Sequence, residues 1–538
     1  MSAEAILLTD GYKLGHRNQY PKGTEYVYSN WTPRTSKYYP EASEGVVVFG
    51  IQYLIQKYFI DEFKTKFFDK PKKQAVAAFK RRVDLFLGPN NVGTQHIEEL
   101  HDLGYLPIRV KALPEGTLCP IGVPALTIVN THPDFFWITN YLETLISTEL
   151  WLPMTSATTA RLFKKNLINH LEKTKVELSD TDMGFLCHDF SMRGMAGVEA
   201  AILSGLGHLT SFNGSETIPA NEAAEHYYDI DGRKDLISAT VPATEHSVMC
   251  AGGMEDEFET FKRLITEVYP SGFVSIVSDT WDFWQVITDY MPRLKDIIMA
   301  RDGRVVIRPD SGDPVDIIAG LPAKKIVEDK GKIYYFPNIG IPEEELKISR
   351  WLRHNNVEEL AKYEVTEAQV KGAYECLMDI FGFHYNDAGF RIMDTHIGMI
   401  YGDSITLERQ EEIYRRLEDK NIAATNLVLG IGSYTYQYKT RDSLGFAMKA
   451  TWCQINGQPK EIFKCPKTDS GMKKSLKGLI QVISVGGKLT AIDQVDADRE
   501  EASWLTTVFE DGKFTQRYSL KQIRETVNRS IRKSLHNL

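Results

Sequence analysis

Seven short apolar runs, each followed by a small cluster of polar residues, constrain the fold of this chain more than any other feature of its sequence. They end near positions 188, 212, 241, 278, 310, 403 and 430, and most are separated by about 24–38 residues. That distance fits one strand, a loop and a helix, so the alternation predicts a parallel β-sheet covered by helices. Charged groups at the carboxyl ends of these strands favour a (β/α) barrel over an open sheet, because barrels collect reactive groups at that end.

The rest of the chain predicts a second, β-rich domain that is discontinuous in sequence. Residues 106–131 have the pattern of short strands broken by Pro and Gly, and the chain becomes hairpin-like again after about residue 450. We therefore expect an N-terminal segment with the first part of the β-rich domain (1–150), the barrel (151–450), and the second part of the β-rich domain with a basic C-terminal helix (451–538).

Two further segments interrupt this division. A long amphipathic helix is expected over about 134–172, at the junction of the first two parts. The long interval before the sixth strand end holds about two units of chain, so we interpret about 320–395 as an insertion in the barrel. It is rich in Lys, Glu and Tyr, and we expect it to be helical.

Composition places the chain among globular proteins and disfavours two kinds of partner. Hydrophobic residues make up 43% and charged residues 25% of the chain, and the formal net charge is −9. This acidic balance argues against a protein that coats nucleic acid or anionic membrane. The longest apolar stretch, at 46–60, contains polar residues and is too short to cross a bilayer.

The six cysteines and the first residues favour a cytoplasmic protein. No two cysteines are closer than twelve positions, so no C-x-x-C zinc or redox pair exists. Scattered reduced thiols are typical of cytosolic proteins. The start of the chain, MSAEAILLTDGYKLGH, lacks a basic leader, and we expect no signal peptide.

The motif IRPDSGDP is the strongest local indication of a functional site. An apolar strand delivers Arg308, Asp310 and Asp313 to one loop. A guanidinium binds phosphate or carboxylate through two hydrogen bonds, and a carboxylate accepts from a sugar diol. Asp313 is a candidate for holding magnesium through water, since that ion takes one or two carboxylates plus waters. A β-turn with a surface Arg–Asp pair is the alternative.

Two other strand ends carry candidate catalytic and ring-binding residues. His246 lies just beyond a strand in VPATEHS, and Asp279 ends the next strand, where it can orient the imidazole or cap a helix. Phe190 and Arg193 in HDFSMRG suit a flat heterocycle with an exocyclic oxygen. A structural histidine, and a core phenylalanine beside a surface arginine, remain open from the residues alone.

The last strand end, NLVLGIGS, suits a phosphate group. Gly430, Gly432 and Ser433 do not complete G-x-G-x-x-G, so a dinucleotide fingerprint is not supported. Glycines after a late barrel strand instead fit a cradle in which backbone N–H groups meet a monophosphate. Basic residues follow within about forty positions and either line that cradle or form a solvated face: Arg441, Lys449, Lys464 and Lys467.

Together these motifs resemble the nicotinamide phosphoribosyltransferase family. HDFSMRG, VPATEHS, VSD, IRPDSGDP and YGD occur in the family's order, and TDGYKLGHRNQYP, LPIRVKALPEG and TVFEDGKFTQRYSL are also similar to it. The resemblance implies a type II phosphoribosyltransferase with an irregular (β/α) barrel, a β-rich domain and a head-to-tail homodimer. It also implies transfer of 5-phosphoribosyl from phosphoribosyl pyrophosphate to nicotinamide in NAD salvage, with Mg²⁺ as cofactor and ATP as a facultative co-substrate.

The same resemblance implies roles for the ring-binding and catalytic residues. Phe190 would stack on one face of nicotinamide, with Arg193 beside ring and phosphate. Tyr12 of the partner subunit would cover the other face, and Asp10 would belong to the same shared site. His246 would be phosphorylated by ATP, with Asp279 as its hydrogen-bond partner.

The remaining implied roles concern the sugar and the phosphates. Arg308 would bind the nucleotide, and Asp310 with Asp403 would bind the ribose hydroxyls. Gly432 and Ser433 would hold the 5′-phosphate. Pyrophosphate and phosphate groups would be held by four basic residues: Arg34, Arg441, Lys449 and Lys464.

Two departures from the family keep rivals open. Glu216 in FNGSET stands where the family has an aspartate that recognises the carboxamide, and Ile431, Ser433 and Tyr434 replace small residues. A nicotinate phosphoribosyltransferase would share the fold and the mechanism. Two alternatives come from other classes of protein. One is a metal-dependent barrel hydrolase or aldolase built on Asp310, Asp313 and Asp279, and the other is a non-enzymatic interaction protein.

Overall fold

A computed structural model describes residues 4–337, 362–402, 404–464 and 476–536. The middle of the proposed insertion, 338–361, and Asp403 therefore lie outside the described residues.

The described strands, in chain order, are β1 (Thr24–Thr32), β2 (Val46–Val47), β3 (Ile108–Ala112), β4 (Leu118–Cys119), β5 (Leu126–Asn130), β6 (Cys187–Asp189), β7 (Gly214–Ser215), β8 (Gly272–Val277), β9 (Gly303–Arg308), β10 (Ile326–Asp329), β11 (Lys332–Tyr335), β12 (Tyr363–Val365), β13 (Phe383–Tyr385), β14 (Arg391–Met393), β15 (Ile397–Tyr401), β16 (Ile422–Ala423), β17 (Leu427–Ile431), β18 (Ala447–Ile455), β19 (Gln458–Glu461), β20 (Leu479–Val485), β21 (Lys488–Val495), β22 (Thr506–Glu510) and β23 (Lys513–Phe514).

A parallel sheet of six strands carries the predicted strand ends. Its order is β7-β6-β17-β15-β9-β8, and every ladder in it is parallel. The central strands are buried on both faces, which explains why they appear in the sequence as uninterrupted apolar runs. Six of the seven predicted strands are therefore confirmed.

The seventh predicted strand, at VPATEHS, forms no ladder. Instead, Ala239 makes one parallel bridge to Gly214 of β7, and Ala243 makes one to Ser275 of β8. Pro242 has no N–H to donate and contributes only its carbonyl oxygen, which accepts from the Ser275 N–H at 2.8 Å. The regular sheet thus covers six positions, fewer than the eight strands of a TIM barrel.

A second sheet brings the two ends of the chain together. It is antiparallel, with the order β19-β18-β1-β5-β3-β22-β23. The expected strands in 106–131 and the hairpins after residue 450 are present in it or beside it, where β20 pairs with β21. The domain boundaries at residues 150 and 450 stay a prediction.

Helices fill the space around both sheets. The longer ones are Lys72–Leu87, Gln95–Leu103, Glu143–Thr174, Val198–Leu209, Ile218–Tyr227, His246–Gly252, Glu257–Arg263, Met291–Met299, Ala373–Phe381, Leu407–Asp419 and Leu520–His536. The helix Glu143–Thr174 confirms the long helix expected from the sequence, and it belongs to both cores. Leu150 and Met154 pack with the antiparallel sheet, while Phe163 and Leu167 pack with the parallel one. In the described part of the chain, no helix has the length and apolarity needed to cross a membrane.

The expected helical insertion is only partly helical in its described part, where the helices Glu367–Lys371 and Ala373–Phe381 follow a small sheet. Residues 326–335 form the hairpin β10–β11, which pairs with β12 in a three-stranded antiparallel sheet. Lys330 and Gly331 both have positive φ, at 51° and 76°, as a tight two-residue hairpin turn requires. The β-branched and aromatic residues on either side of this turn, in IVED and KIYY, favour strands. The helix Ala373–Phe381 then returns to the main core.

Candidate active site at the carboxyl edge of the parallel sheet

The strand order brings the predicted motifs on β8 and β9 together. Ser278 and Arg308 exchange hydrogen bonds, since the Ser278 N–H donates to the Arg308 carbonyl at 3.0 Å and the Arg308 N–H donates to Ser278 Oγ at 3.3 Å. The Asp310 N–H donates to Asp279 Oδ2 at 3.0 Å. Two motifs about thirty residues apart in sequence therefore form one surface.

His246 follows Ala239 and Ala243, which make the two isolated bridges, and its side chain contacts the same surface. Its Nε2 lies 3.3 Å from Asp279 Oδ1, with the histidine side chain 48% exposed and the aspartate side chain 3% exposed. Because a carboxylate oxygen accepts, Nε2–H donates and leaves Nδ1 as the nitrogen with a lone pair. The proposed helix-capping role of Asp279 is absent, since Asp282 caps the helix Phe283–Gln285.

Asp310 sits between Arg308 and the end of β15. Its Oδ2 lies 3.7 Å from the Arg308 guanidinium. A Cβ placed on Gly402 would lie 2.1 Å from Asp310 Oδ1, so a larger residue there would displace this carboxylate. Asp403, the next residue and the second predicted ribose ligand, lies outside the described residues.

Asp313 is exposed and begins the helix Pro314–Ala319. Its Oδ1 accepts from the N–H groups of Val315 and Asp316, at 2.9 and 3.3 Å. Among the described residues, no group of three His, Cys, Asp or Glu side chains is placed to hold a metal ion. This donor set fits only a magnesium that brings waters and substrate phosphates as most of its ligands.

The other end of the surface is built around Glu216. Its Oε1 accepts from His188 Nε2–H at 3.0 Å and from the Thr240 hydroxyl. The His188 ring lies 4.8 Å from the Phe190 ring, between centroids. Phe190 and Glu216 therefore contact the same imidazole ring, and the Glu216 side chain is still 39% exposed.

Hydrogen bonding decides the charge of Glu216. Burial acts to raise the pKa of this carboxyl, but the His188 and Thr240 donors and the positive charge of Arg308 outweigh it and hold the pKa below its ordinary value. Glu216 is thus an anion at neutral pH. Asp189, in contrast, is fully buried and accepts from the Ser191 N–H and from the hydroxyl groups of Ser191 and Thr217, which makes it a structural residue.

The predicted phosphate loop contacts the Arg193 loop. Gly432 precedes the helix Ser433–Gln437. A Cβ on Gly194 would lie 2.0 Å from Ser433 Oγ, so the two loops are in close contact. Arg193 itself is exposed. The residues predicted to hold ring and phosphate therefore share one end of the sheet.

The four predicted basic residues also cluster, next to the antiparallel sheet. Burial lowers the pKa of Lys449, and the positive charges of Arg34, Lys464 and Arg441 lower it further. Lys449 pairs with Asn30 in the β1–β18 ladder, and Arg34 Nε donates to the Gly445 carbonyl at 2.9 Å. This cluster has the concentrated positive charge that binds pyrophosphate.

A cleft of about 490 Å³ adjoins this cluster and contains Tyr12 as well as Lys449. Tyr12 is 64% exposed. Asp10 Oδ2 accepts from the Thr144 hydroxyl at 2.7 Å near the same edge. Among the described ring contacts, Tyr12 pairs with His16 and Phe190 with His188, so Tyr12 and Phe190 of one chain do not stack.

The motifs do not predict the contacts that His188, Thr240 and Ser278 make. His188 and Thr240 both lie at predicted strand ends, in HDF and in SATVPATEH, where parallel strands place side chains at one edge. The position of His188 and Thr240 at strand ends therefore indicates that both side chains lie at the edge of the site. The identity of their partner, Glu216, was not accessible from spacing.

Comparison with known proteins gives the family. The profile of the nicotinate phosphoribosyltransferase (NAPRTase) family matches residues 185–514, and that of the nicotinamide phosphoribosyltransferase N-terminal domain matches residues 4–110. Nicotinamide phosphoribosyltransferase of Acinetobacter baylyi is 44% identical over 531 residues, 97% of this chain and 96% of the relative. That of Mycoplasma pneumoniae is 31% identical over 488 residues, 88% of this chain and 94% of the relative.

Two solved structures share the fold. Human nicotinic acid phosphoribosyltransferase aligns with a TM-score of 0.51 and 14% identity, covering 97% of this chain and 93% of that one. Nicotinate-nucleotide pyrophosphorylase from Pyrococcus furiosus aligns with a TM-score of 0.52 and 13% identity, covering 100% and 98%. The mixed α/β architecture is thus the type II phosphoribosyltransferase fold. Since its sequence matches over nearly the full length, this chain belongs to the nicotinamide phosphoribosyltransferase family.

Proposed function

We propose that this protein transfers the 5-phosphoribosyl group of phosphoribosyl pyrophosphate to the ring nitrogen of nicotinamide, forming nicotinamide mononucleotide and pyrophosphate in cytoplasmic NAD salvage. The observation that carries the proposal is the ionised, partly exposed Glu216 beside Phe190 at the edge that also holds Arg308 and Asp310. An anion there accepts from a carboxamide N–H and repels the carboxylate of nicotinate. The names of the two relatives agree with this choice of ring.

The residues of this edge suit glycosyl transfer without a protein nucleophile. Phe190 holds the flat ring, and Asp310 with Asp403 accepts from the ribose hydroxyls, so that the ring nitrogen faces the anomeric carbon. Alignment of this kind lowers a barrier by several kcal/mol. Positive charge builds on the sugar and negative charge builds on the leaving pyrophosphate. The negative charge is stabilised by four basic residues: Arg34, Arg441, Lys449 and Lys464.

Magnesium fits this site as a companion of pyrophosphate. Asp313 would hold it through water, with its Oδ1 already engaged by backbone N–H groups. A bound Mg²⁺ supplies charge neutralisation to the phosphate oxygens.

We also propose that ATP phosphorylates His246. Nδ1 attacks the terminal phosphorus of ATP, the bond from that phosphorus to the bridging oxygen breaks, and ADP leaves. Asp279 meanwhile holds Nε2–H and stabilises the positive charge that forms on the imidazole. Water then releases phosphate from the histidine, so that the hydrolysis of ATP is coupled to synthesis. The exposure of His246 above a buried carboxylate supports this role.

A homodimer with shared sites, on an irregular barrel, completes the proposal. Tyr12 is exposed and does not reach Phe190 in its own chain. Apolar side chains next to Arg193 and Glu216 are also exposed, namely Met192, Val198 and Ile218. The two bridges through Ala239 and Ala243 support closure of the sheet into a barrel.

Mass spectrometry of the products tests the activity. The protein is incubated with phosphoribosyl pyrophosphate, Mg²⁺ and either nicotinamide or nicotinate, with and without ATP. We expect nicotinamide mononucleotide as the main product and a higher yield with ATP. A preference for nicotinate would identify a nicotinate phosphoribosyltransferase, and turnover of a substrate without phosphoribosyl pyrophosphate would favour the hydrolase or aldolase alternative.

A further inference from the structure

We infer that His188 and Thr240 determine the choice between nicotinamide and nicotinate, because they hold Glu216 as a fixed anion. The inference rests on the proposed function and adds two specificity-determining residues to it. Neither residue needs to touch the ring, because both act through the carboxylate. They are therefore positioning residues.

Both donors converge on one oxygen of Glu216. His188 Nε2–H donates to Oε1 at 3.0 Å, and the Thr240 hydroxyl donates to the same atom. The Glu216 side chain is still 39% exposed, so its carboxylate is not enclosed by these partners. With Oε1 engaged twice, Oε2 is the oxygen with free accepting capacity.

The His188 ring is itself held in place. It is 7% exposed and lies across the β6–β7 ladder from Gly214. A Cβ on Gly214 would lie 2.6 Å from His188 Nδ1, so this glycine permits the close approach. Phe190 packs against the ring at 4.8 Å between centroids. The donor thus cannot turn away from Glu216 without disturbing the residue proposed to stack on nicotinamide.

The chemistry of the two rings makes this arrangement selective. A carboxamide carries two N–H donors, and an ionised carboxylate carries none. A fixed glutamate anion gains a charge-assisted hydrogen bond from the amide, whereas the acid brings a second negative charge. A site built to bond one partner rejects the analogue that lacks the donor, because its own polar group stays unpaired.

Replacing Thr240 by Val tests the inference with little risk to folding, since Thr240 lies at the surface. We expect Thr240→Val to raise KM for nicotinamide about tenfold, the effect of one hydrogen bond to a charged group, with kcat changed less than about twofold. The ratio of kcat/KM for nicotinate to that for nicotinamide should rise. Thr240→Ser keeps the hydroxyl and should restore the original ratio.

Two further variants complete the experiment. His188→Phe keeps an aromatic ring without the donor and should shift the ratio in the same direction. Ser238, on the same segment as Thr240, has a hydroxyl that accepts from Asn221 Nδ2–H at 2.7 Å rather than bonding Glu216. Ser238→Ala removes this hydroxyl and should leave the ratio unchanged. Titration calorimetry with each ring should show weaker binding of nicotinamide alone.

The inference is overturned if Thr240→Val and His188→Phe leave the ratio as it was, or if both rings lose affinity equally. It is also overturned if Ser238→Ala shifts the ratio as much as Thr240→Val does. Failure of the proposed function has another signature. In that case the unmodified protein makes no mononucleotide from either ring.

Discussion

His246 differs from an ordinary surface histidine because its carboxylate partner is buried. Asp279 accepts from His246 Nε2–H with one oxygen and from the Asp310 N–H with the other. The aspartate cannot turn to solvent without breaking both contacts. It therefore fixes the ring's tautomer and orientation, which a solvated pair does not do.

Removing the imidazole should uncouple ATP from synthesis. We expect His246→Ala to lower ADP release by at least about a hundredfold, since the phosphoryl acceptor is lost. ATP should then no longer raise the yield of mononucleotide. ADP release and acid-labile phosphate on the protein are the measurements.

His132 offers a matched control. It is 47% exposed and lies 3.7 Å from the exposed Asp134, away from the parallel sheet. His132→Ala should leave ADP release unchanged. Acid-labile phosphate that persists on the His246→Ala protein would contradict the assigned role.

Where the two sheets meet, a buried carboxylate joins a loop to a helix. Glu115, in the loop that follows β3, accepts from the Gln52 N–H at 2.7 Å at the start of the helix Ile51–Leu54. Gln52 in turn accepts from the Tyr518 N–H at 2.7 Å with its side-chain oxygen. Burial raises the pKa of Glu115 from 4.5 to about 7 even though backbone N–H groups oppose the shift.

This raised pKa predicts a pH dependence of stability. Between the ordinary pKa of 4.5 and about 7, the folded protein binds more protons than the unfolded chain, so stability falls as pH rises through that interval. Glu115→Gln removes the titration. Its free energy of unfolding, relative to that of the unmodified protein, should rise by up to about 3 kcal/mol between about pH 5 and about pH 8.

Urea unfolding of both proteins at the two pH values is the measurement. Burial also raises the pKa of Glu149 and Glu257 to about 7, so only the difference between the two proteins isolates Glu115. A difference that does not change with pH would show that Glu115 is already ionised in the folded state.

Two sheets with separate cores are joined through one long helix, and each holds part of the predicted site. The ring and ribose residues lie on the parallel sheet, whereas Lys449 and the cleft with Tyr12 lie on the antiparallel sheet. The helix Glu143–Thr174 packs into both cores. The predicted site is therefore divided between the two sheets.

Mixing two inactive variants tests whether the sites are shared. Tyr12→Ala and Phe190→Ala should each abolish most activity. If each site takes Phe190 from one subunit and Tyr12 from the partner subunit, a mixed dimer keeps one intact site. After dissociation and random reassociation, we expect about a quarter of the original activity, because half of the dimers are mixed and each has one of its two sites.

Assay of each variant alone gives the baseline for this mixture. Sedimentation velocity shows whether subunits have exchanged. Activity that stays at the baseline after exchange would mean that both residues act within one chain.

Some parts of the fold and of this site can be predicted from the sequence and others cannot, and the difference has a physical reason. Buried parallel strands are recognisable as continuous apolar runs, so positions such as Asp279 and Arg308 can be assigned to strand ends from the sequence alone. The helix predicted across the segment 326–335 is wrong, because a Lys-Gly turn between β-branched and aromatic residues forms a hairpin whatever the overall composition of the segment. The resemblance predicted the pyrophosphate role of the cluster around Lys449, while the strands β1 and β18 that assemble it are far apart in sequence.

Local sequence determined which residues end strands and which chemistry each carries, because apolar runs, turns and polar ends are short-range properties. Only the tertiary structure decided which of those ends are neighbours. Glu216 finds its two donors 28 and 24 residues away, and β17 lies between β6 and β15 although β6 comes far earlier in the chain. Strand order depends on how the whole sheet packs against its helices, and no local pattern encodes it.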